Sequence, residues 1–146
     1  MKRKAKILFI QVDSDEYYYV LLGRRVSSGE SFWWIPGGSV ETGEQEFEAA
    51  LRELDEELIL TSVFTEALQY FIHASTEPQQ IKYQSEKAVN TIFIVPVNIR
   101  TKELPKIKDE FEELQWFNLD SRPPNMSREF SFIKTDFTEI IRNSIV

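Results

Sequence analysis

The sequence predicts an α/β fold, and three observations predict it. Apolar runs bounded by turn residues read as strands at residues 4–12, 16–22, 32–35, 64–73, 89–97 and within 109–120. Residues 44–58 run without proline or glycine through good helix formers, shortly after the turn Pro36-Gly37-Gly38. Residues 130–145 carry Phe132, Ile133, Phe137, Ile140 and Ile141 at helical spacing, which makes a closing amphipathic helix. The expected architecture is an α/β/α sandwich: a mixed sheet with the acidic helix on one side and the C-terminal helix on the other.

A chain of 146 residues is long enough for a real core, so residues 1–146 are expected to form one domain. Hydrophobic residues at 42% and aromatics at 13% set it apart from disordered chains. With no cysteine there is neither a disulfide framework nor a thiolate metal site, and a reducing, cytoplasmic setting is expected. No run approaches the roughly 18 consecutive apolar residues of a membrane span. Basic residues precede an apolar run at the start, but that run is expected to be too short for a signal peptide. A pI of about 4.8 argues against nonspecific binding to nucleic acid or a membrane surface.

In chain order, the first two strands are joined by the turn-like Asp13-Ser14-Asp15, and the second leads into Arg24 and Arg25. Residues 26–31 are polar and read as a mobile loop. Phe32-Trp33-Trp34-Ile35 then feeds the glycine turn. Thr42 and Gln45 fit a capping box, with Thr42 as N-cap. At about 100° per residue, Phe47, Ala50, Leu51, Leu54 and Leu58 form one stripe. Glu53, Glu56 and Glu57 share a neighbouring face, because positions three and four apart are adjacent on a helix. Residues 74–87 read as a polar loop, and residues 102–108 as a charged one.

Between Glu41 and Glu57 stand eight acids and one base, Arg52. That local excess equals the net charge of the whole chain, −7, so the remainder balances. Like charges at helical spacing repel, by more once partly buried. A solvated acidic face is the ordinary explanation of such a run. The alternative is that something positive is missing, and hard divalent cations with oxygen ligands, Mg²⁺ or Mn²⁺, are the natural candidates.

Gly38, five residues, Glu44, seven residues, then Arg52-Glu53-Leu54-Asp55-Glu56-Glu57-Leu58-Ile59-Leu60 resembles the Nudix box, G-x5-E-x7-R-E-U-x-E-E-x-G-U with U bulky and apolar. Every constrained position matches except the second glycine, which is Ile59 here. The resemblance implies a Nudix-type fold and hydrolysis of a nucleoside diphosphate linked to another group, with Mg²⁺, or Mn²⁺, as cofactor. It implies that Glu53, Glu56 and Glu57 are metal ligands and that Glu53 or a helix neighbour takes a proton from the attacking water. Gly38, or Gly37 beside it, would turn the backbone tightly and offer a carbonyl to a metal. Glu44 would assist the cluster or anchor Arg52, and Arg52 would hold a carboxylate through its planar fork. A glycine at position 59 would end the helix in a left-handed conformation, so with Ile59 the helix is expected to end differently or to run on by a residue.

The resemblance extends outside the box. Arg24 and Arg25 match a pattern that would hold a substrate phosphate, although a solvated arginine pair explains them equally well. Trp34 is a candidate to stack on a nucleobase, against core packing as the ordinary reading. Tyr83, in the stretch where this family varies its substrate contacts, is a second stacking candidate. His73, the only histidine, reads as structural. Glu110 is chosen as the glutamate outside the box that completes the metal site, with Glu112 and Glu113 as rivals.

The leading expectation is Mg²⁺-dependent hydrolysis of a nucleoside triphosphate or dNTP to the monophosphate and pyrophosphate. The alternatives are a nucleotide-sugar hydrolase of the ADP-ribose or GDP-mannose type and a non-catalytic nucleotide sensor. The absence of a proline about 15 residues past the box, and of a tyrosine 16 to 18 past it, counts against ADP-ribose and dinucleoside polyphosphates. An RNA-cap hydrolase would want a basic face that this composition lacks. The expected partner is a nucleotide-type small molecule, not a membrane or a nucleic acid. Nudix proteins are often dimers, which leaves a homodimer open.

Overall fold

The computed structural model describes residues 1–12, 15, 17–74, 79–84, 87–97 and 100–119. Its centre is β1 (Lys2–Val12), whose run of buried residues reflects cover on both faces. β7 (Ala88–Pro96) lies parallel to it, registered from Lys2 opposite Ala88 to Ile10 opposite Pro96. β2 (Tyr18–Ser27) is antiparallel to β1, but only from Ile10–Val20 to Val12–Tyr18. Beyond that the two strands part. β2 goes on to pair with β3 (Glu30–Trp34), while β4 (Gly37–Ser39) takes its place beside the first half of β1. β6 (Gln80–Gln84) adds to β7, and β9 (Glu113–Asn118) adds to β2, which makes a mixed sheet of seven strands.

α1 (Glu46–Glu57) and α2 (Ser62–His73) pack on one face. Ala50, Leu54 and Leu58 of the predicted stripe are buried there with Ala5, Ile7, Phe9 and Leu21, and Phe47 and Leu51 are partly buried against them. The other face buries Leu8, Ile10, Val20, Leu22, Trp33, Ile35, Ile92 and Ile94. The alternation of strand side chains thus sorts one sequence into two cores.

Five sequence expectations need correction. Residues 64–73, read as a strand, are helical. Phe64, Ala67, Leu68 and Phe71 are the buried residues, a spacing of 3, 4 and 7 that belongs to a helix. The expected polar loop at 74–87 contains β6, an edge strand whose backbone pairs with β7 whatever its side chains are. The expected loop at 26–31 is a tight hairpin: Ser27 faces Glu30, and Ser28 and Gly29 carry φ of 52° and 81°. Two positive φ values are what a two-residue turn between twisted strands requires. Finally, Thr42 does not cap α1. The helix starts at Glu46 with Gln45 extended at its head and no side-chain cap. Residues 41–44 form a turn instead, in which the Glu44 carboxylate accepts from the Glu41 N–H at 2.9 Å. The segment 102–108, also read as a loop, contributes a two-residue strand, β8 (Lys106–Ile107), to a ribbon with β5 (Leu58–Ile59). The expected helix at 130–145 lies outside the described residues.

Candidate functional site

The site lies where β1 and β2 separate. Residues 35–38 cross that gap: Ile7 N donates to Pro36 O at 2.9 Å, and β4 then pairs Lys6 with Gly37 and Ala5 with Gly38. Gly37 has φ of 149°, and a Cβ on it would collide with the Ala5 carbonyl and the Lys6 backbone. A Cβ on Gly38 would collide with the carboxylate of Glu53. The two glycines therefore let one edge of the sheet touch the acidic face of α1: at Gly37 the obstacle to a side chain is backbone, and at Gly38 a side chain would push the Glu53 carboxylate aside.

Among the described residues Glu57 is the most enclosed carboxylate, 1% exposed. Its Oε1 accepts the Gly37 N–H at 2.9 Å, and its Oε2 has no hydrogen-bond partner. Burial, helped by the nearby Glu110 and Glu53 carboxylates, pushes its pKa up to about 8. Burial also raises Glu53, opposed by a hydrogen bond from Arg52. Glu110 joins them from the chain that follows β8. The N–H groups of Lys108 and Asp109 donate to Glu57 O, at 2.8 and 3.3 Å, and hang this corner on the end of α1. Glu110 then adopts φ of 70°, uncommon for a residue with a side chain, and its N–H donates to Asp109 Oδ1 at 2.9 Å. Its Oε2 lies 3.3 Å from Arg25 Nη2. Of its two rivals, Glu113 pairs with Arg24 at 2.9 Å, and Glu112 is exposed.

Arg52 organises the neighbouring acids. Its Nε and Nη2 donate to the two oxygens of Glu44, at 2.7 and 3.1 Å, and Nη2 also reaches Ser39 O at 3.0 Å. Its Nη1 donates to Glu53 Oε1 at 3.1 Å and Glu56 Oε1 at 3.2 Å. The hydrogen bond to Glu44 comes first among the causes that hold the guanidinium in its charged form, and the same bond lowers the Glu44 pKa. Of the two roles implied for Glu44, the geometry is that of an anchor for Arg52.

The structure thus brings Glu53, Glu57, Glu110, Gly37, Gly38 and Arg25 together, with Glu44, Arg52 and Glu56 as an adjoining network. Glu56 is 57% exposed at its side chain and is drawn toward Arg52. Arg24 precedes Arg25 on an alternating strand and points to the opposite face. Trp34 is half-buried, with the Arg25 guanidinium 5.8 Å and Lys6 Nζ 5.1 Å from its ring centre. Tyr83 lies in β6 opposite Asn90, and its side chain is outside the described residues. His73 closes α2 and is exposed. Two polar residues went unnoticed in the sequence, Lys6 and Asn90, both buried within strands. For Asn90 the signal was a polar residue interrupting an apolar strand face, whereas Lys6 is the last of three alternating lysines and gave none.

Among the described residues, no three carboxylate, histidine or cysteine side chains form a ready-made metal cage. The donor set nonetheless fits a hard divalent cation. Glu57 Oε2 is a buried anionic oxygen with no partner, and Glu53 and Glu110 add oxygen donors whose charges raise its pKa. Nitrogen and sulfur ligands are absent from this set, as Mg²⁺ or Mn²⁺ prefers.

A mixed sheet that opens to admit a glycine turn under an acidic helix is the fold of Nudix hydrolases. A C. elegans Ap4A hydrolase matches at a TM-score of 0.68 and 16% identity, covering 98% of this chain and 99% of that one. A Nudix hydrolase from M. smegmatis matches at 0.67 and 18%, covering 96% and 85%. A bifunctional NMN adenylyltransferase/ADP ribose pyrophosphatase from Francisella tularensis, in complex with AMP and a manganese ion, matches at 0.63 and 21%, covering 94% and 41%. At these identities the likeness speaks for the fold. No curated protein sequence matches the chain significantly. The profile of the NUDIX domain, however, matches residues 1–135, and the chain belongs to that family. It is therefore a pyrophosphohydrolase, of a family that generally uses divalent metal ions. Among the described residues no helix is long and apolar enough to cross a membrane.

Proposed function

We propose that the protein hydrolyses a pyrophosphate bond in a nucleoside triphosphate or dNTP, giving a nucleoside monophosphate and pyrophosphate. One observation carries this reading: Glu53, Glu57 and Glu110 meet over the Gly37–Gly38 turn, with Arg25 at their edge. A polyanionic substrate would be repelled by these carboxylates alone. Glu53, Glu57, Glu110 and the Gly38 carbonyl would hold Mg²⁺ or Mn²⁺, with Glu56 reaching in from the network around Arg52. The bound cation would neutralise phosphate charge and lower the pKa of a bound water. Glu53 would take the proton of the attacking water, Arg52 would hold its carboxylate in place, and Arg25 would bind a phosphate oxygen through its fork.

Two of the structural relatives carry the names of an Ap4A hydrolase and an ADP ribose pyrophosphatase, so both substrates belong in the test beside the triphosphates. The purified chain is assayed with Mg²⁺ against nucleoside triphosphates, dNTPs, nucleotide sugars and dinucleoside polyphosphates, and products are resolved by chromatography. Release of a monophosphate and pyrophosphate from a triphosphate is expected as the fastest reaction. Faster cleavage of ADP-ribose or GDP-mannose would move the assignment to nucleotide sugars. Tight nucleotide binding with no product would mark a sensor.

A further inference from the structure

Gly23 lies within β2, on the face that carries Leu21 into the core under α1 and, two residues further on, Arg25. Its φ is not positive, so its backbone does not call for glycine, and a glycine inside a strand weakens it. What the missing side chain makes room for is the ring of Phe111. A Cβ at position 23 would collide with that ring, which is buried with Leu21, Leu54 and Leu114.

The same residue closes a strained turn. Phe111 N–H donates to Asp109 O at 2.9 Å, which makes a three-residue γ-turn, and Glu110 at its centre has φ of 70°. That is the rare hand of the γ-turn, strained for a residue with a side chain, and it persists only where its surroundings over-determine it. Upstream, Lys108 and Asp109 are fastened to the end of α1: both N–H groups donate to Glu57 O, and Lys108 Nζ donates to Asp55 O at 2.8 Å. Downstream, Phe111 is seated on Gly23, and Glu112 N–H donates to Arg24 O at 2.8 Å. Glu110 is thus the one residue between a segment tied to α1 and a segment tied to β2. Its carboxylate lands beside Arg25, near those of Glu57 and Glu53.

We propose that Phe111 and Gly23 are positioning residues: the ring, seated where β2 has no side chain, holds Glu110 in the turn that aims its carboxylate at the metal site. The inference rests on the reading of Glu53, Glu57 and Glu110 as cation ligands, and adds what sets the third of them in place. Core filling alone accounts for a buried ring at position 111, but not for the strained turn one residue before it.

The test follows Mn²⁺ binding through the paramagnetic signal of the free ion, with thermal melts in EDTA. The proteins are the wild type, Gly23→Ala, Phe111→Leu, Glu110→Gln, and the two double variants that add Glu110→Gln to each of the others. Gly23→Ala displaces the ring and Phe111→Leu removes it, and each is expected to weaken Mn²⁺ binding about tenfold. Glu110→Gln is expected to weaken it as well, and in that background neither other change should cost more, since both act through Glu110. Either single variant decides the matter if the other does not fold. Variants that melt lower yet bind Mn²⁺ like the wild type would show a ring that only packs, and overturn the proposal. Equal losses with and without the Glu110 carboxylate overturn it too, as does wild-type affinity in Glu110→Gln. A protein whose Mn²⁺ affinity depends on Phe111 through Glu110 but which cleaves no pyrophosphate bond would sink the hydrolytic assignment and leave this one standing. Cleavage by a protein whose Mn²⁺ affinity ignores Gly23 and Phe111 would do the reverse.

Discussion

Glu53 and Glu57 sit one turn apart on α1 in different surroundings. Glu53 is partly covered and takes a hydrogen bond from Arg52, whereas Glu57 is sealed under the glycine turn with one oxygen unpartnered. Glu53→Gln and Glu57→Gln are each expected to lower kcat by about 100-fold or more at saturating Mg²⁺, and to stay folded. Steady-state kinetics on the best substrate decides it, and near-wild-type turnover in either variant would remove the assignment. Thermal melts separate the two residues further. Glutamine at 57 keeps a carbonyl for the Gly37 N–H while removing a buried charge, so the metal-free melting temperature at pH 8 should hold or rise. Glutamine at 53 keeps an acceptor for Arg52 and removes a charge that burial disfavours less strongly, so its melting temperature should change less than that of Glu57→Gln. That these two residues share one helix face was legible because their spacing is local; the roles proposed for them rest on the kinetics above. Choosing Glu110 over Glu112 and Glu113 was harder, because it depends on the corner hung from Glu57 O, a contact spanning more than fifty residues.

At the scale of elements, the departure at Ile59 shows how α1 ends. Leu58 leaves the helix with φ of −134° and ψ of 151°, and Ile59 pairs with Lys106 in the β5–β8 ribbon, 48% exposed. The helix ends by extending into a strand, so no left-handed residue is needed there. Ile59→Gly should accordingly destabilise the protein by about 0.5–1 kcal/mol, the cost of a glycine in a strand, and leave kcat unchanged. Chemical denaturation measures the first, and a gain of stability would mean that position 59 is strained. The sequence was legible wherever one signal stood alone: the glycine turn, α1, β1 and β7. It misled where signals competed. The run from Phe64 to Phe71 is apolar enough for a buried strand, and only counting its period separates the two. β6 carried only a short signal, Ile81 and Tyr83 alternating with polar residues inside a polar stretch, and Ile81 alone of these is seen to join the core. The parting of β1 from β2 comes from register alone, so the nearness of Lys6, Trp34 and Arg25 could not have been read from spacing.

Over the whole molecule, the excess of negative charge is concentrated in one segment, 41–57, and its most buried member sets how stability responds to pH. Glu57 in the folded protein titrates at about 8, well above its ordinary value of 4.5. Between those two values the native state holds a proton that the unfolded chain has released. Stability of the metal-free protein should therefore fall as pH rises from about 4.5 to 8, and level off above. Glu44 and Glu46 have the opposite sign. Arg52 holds the first below its ordinary value, and a hydrogen bond from Thr91 the second, so their contribution is present above that value and lost below it. The two trends place the metal-free optimum near pH 5, and Glu57→Gln should flatten its alkaline side. A divalent cation would replace the proton on Glu57, so its stabilisation should grow with pH through the same window. Melts in EDTA and in Mg²⁺ from pH 5 to 9 test this: the two curves should diverge steadily up to pH 8. Parallel curves would mean that the cation does not meet Glu57 at all, and that the charge excess of this helix is balanced by solvent alone.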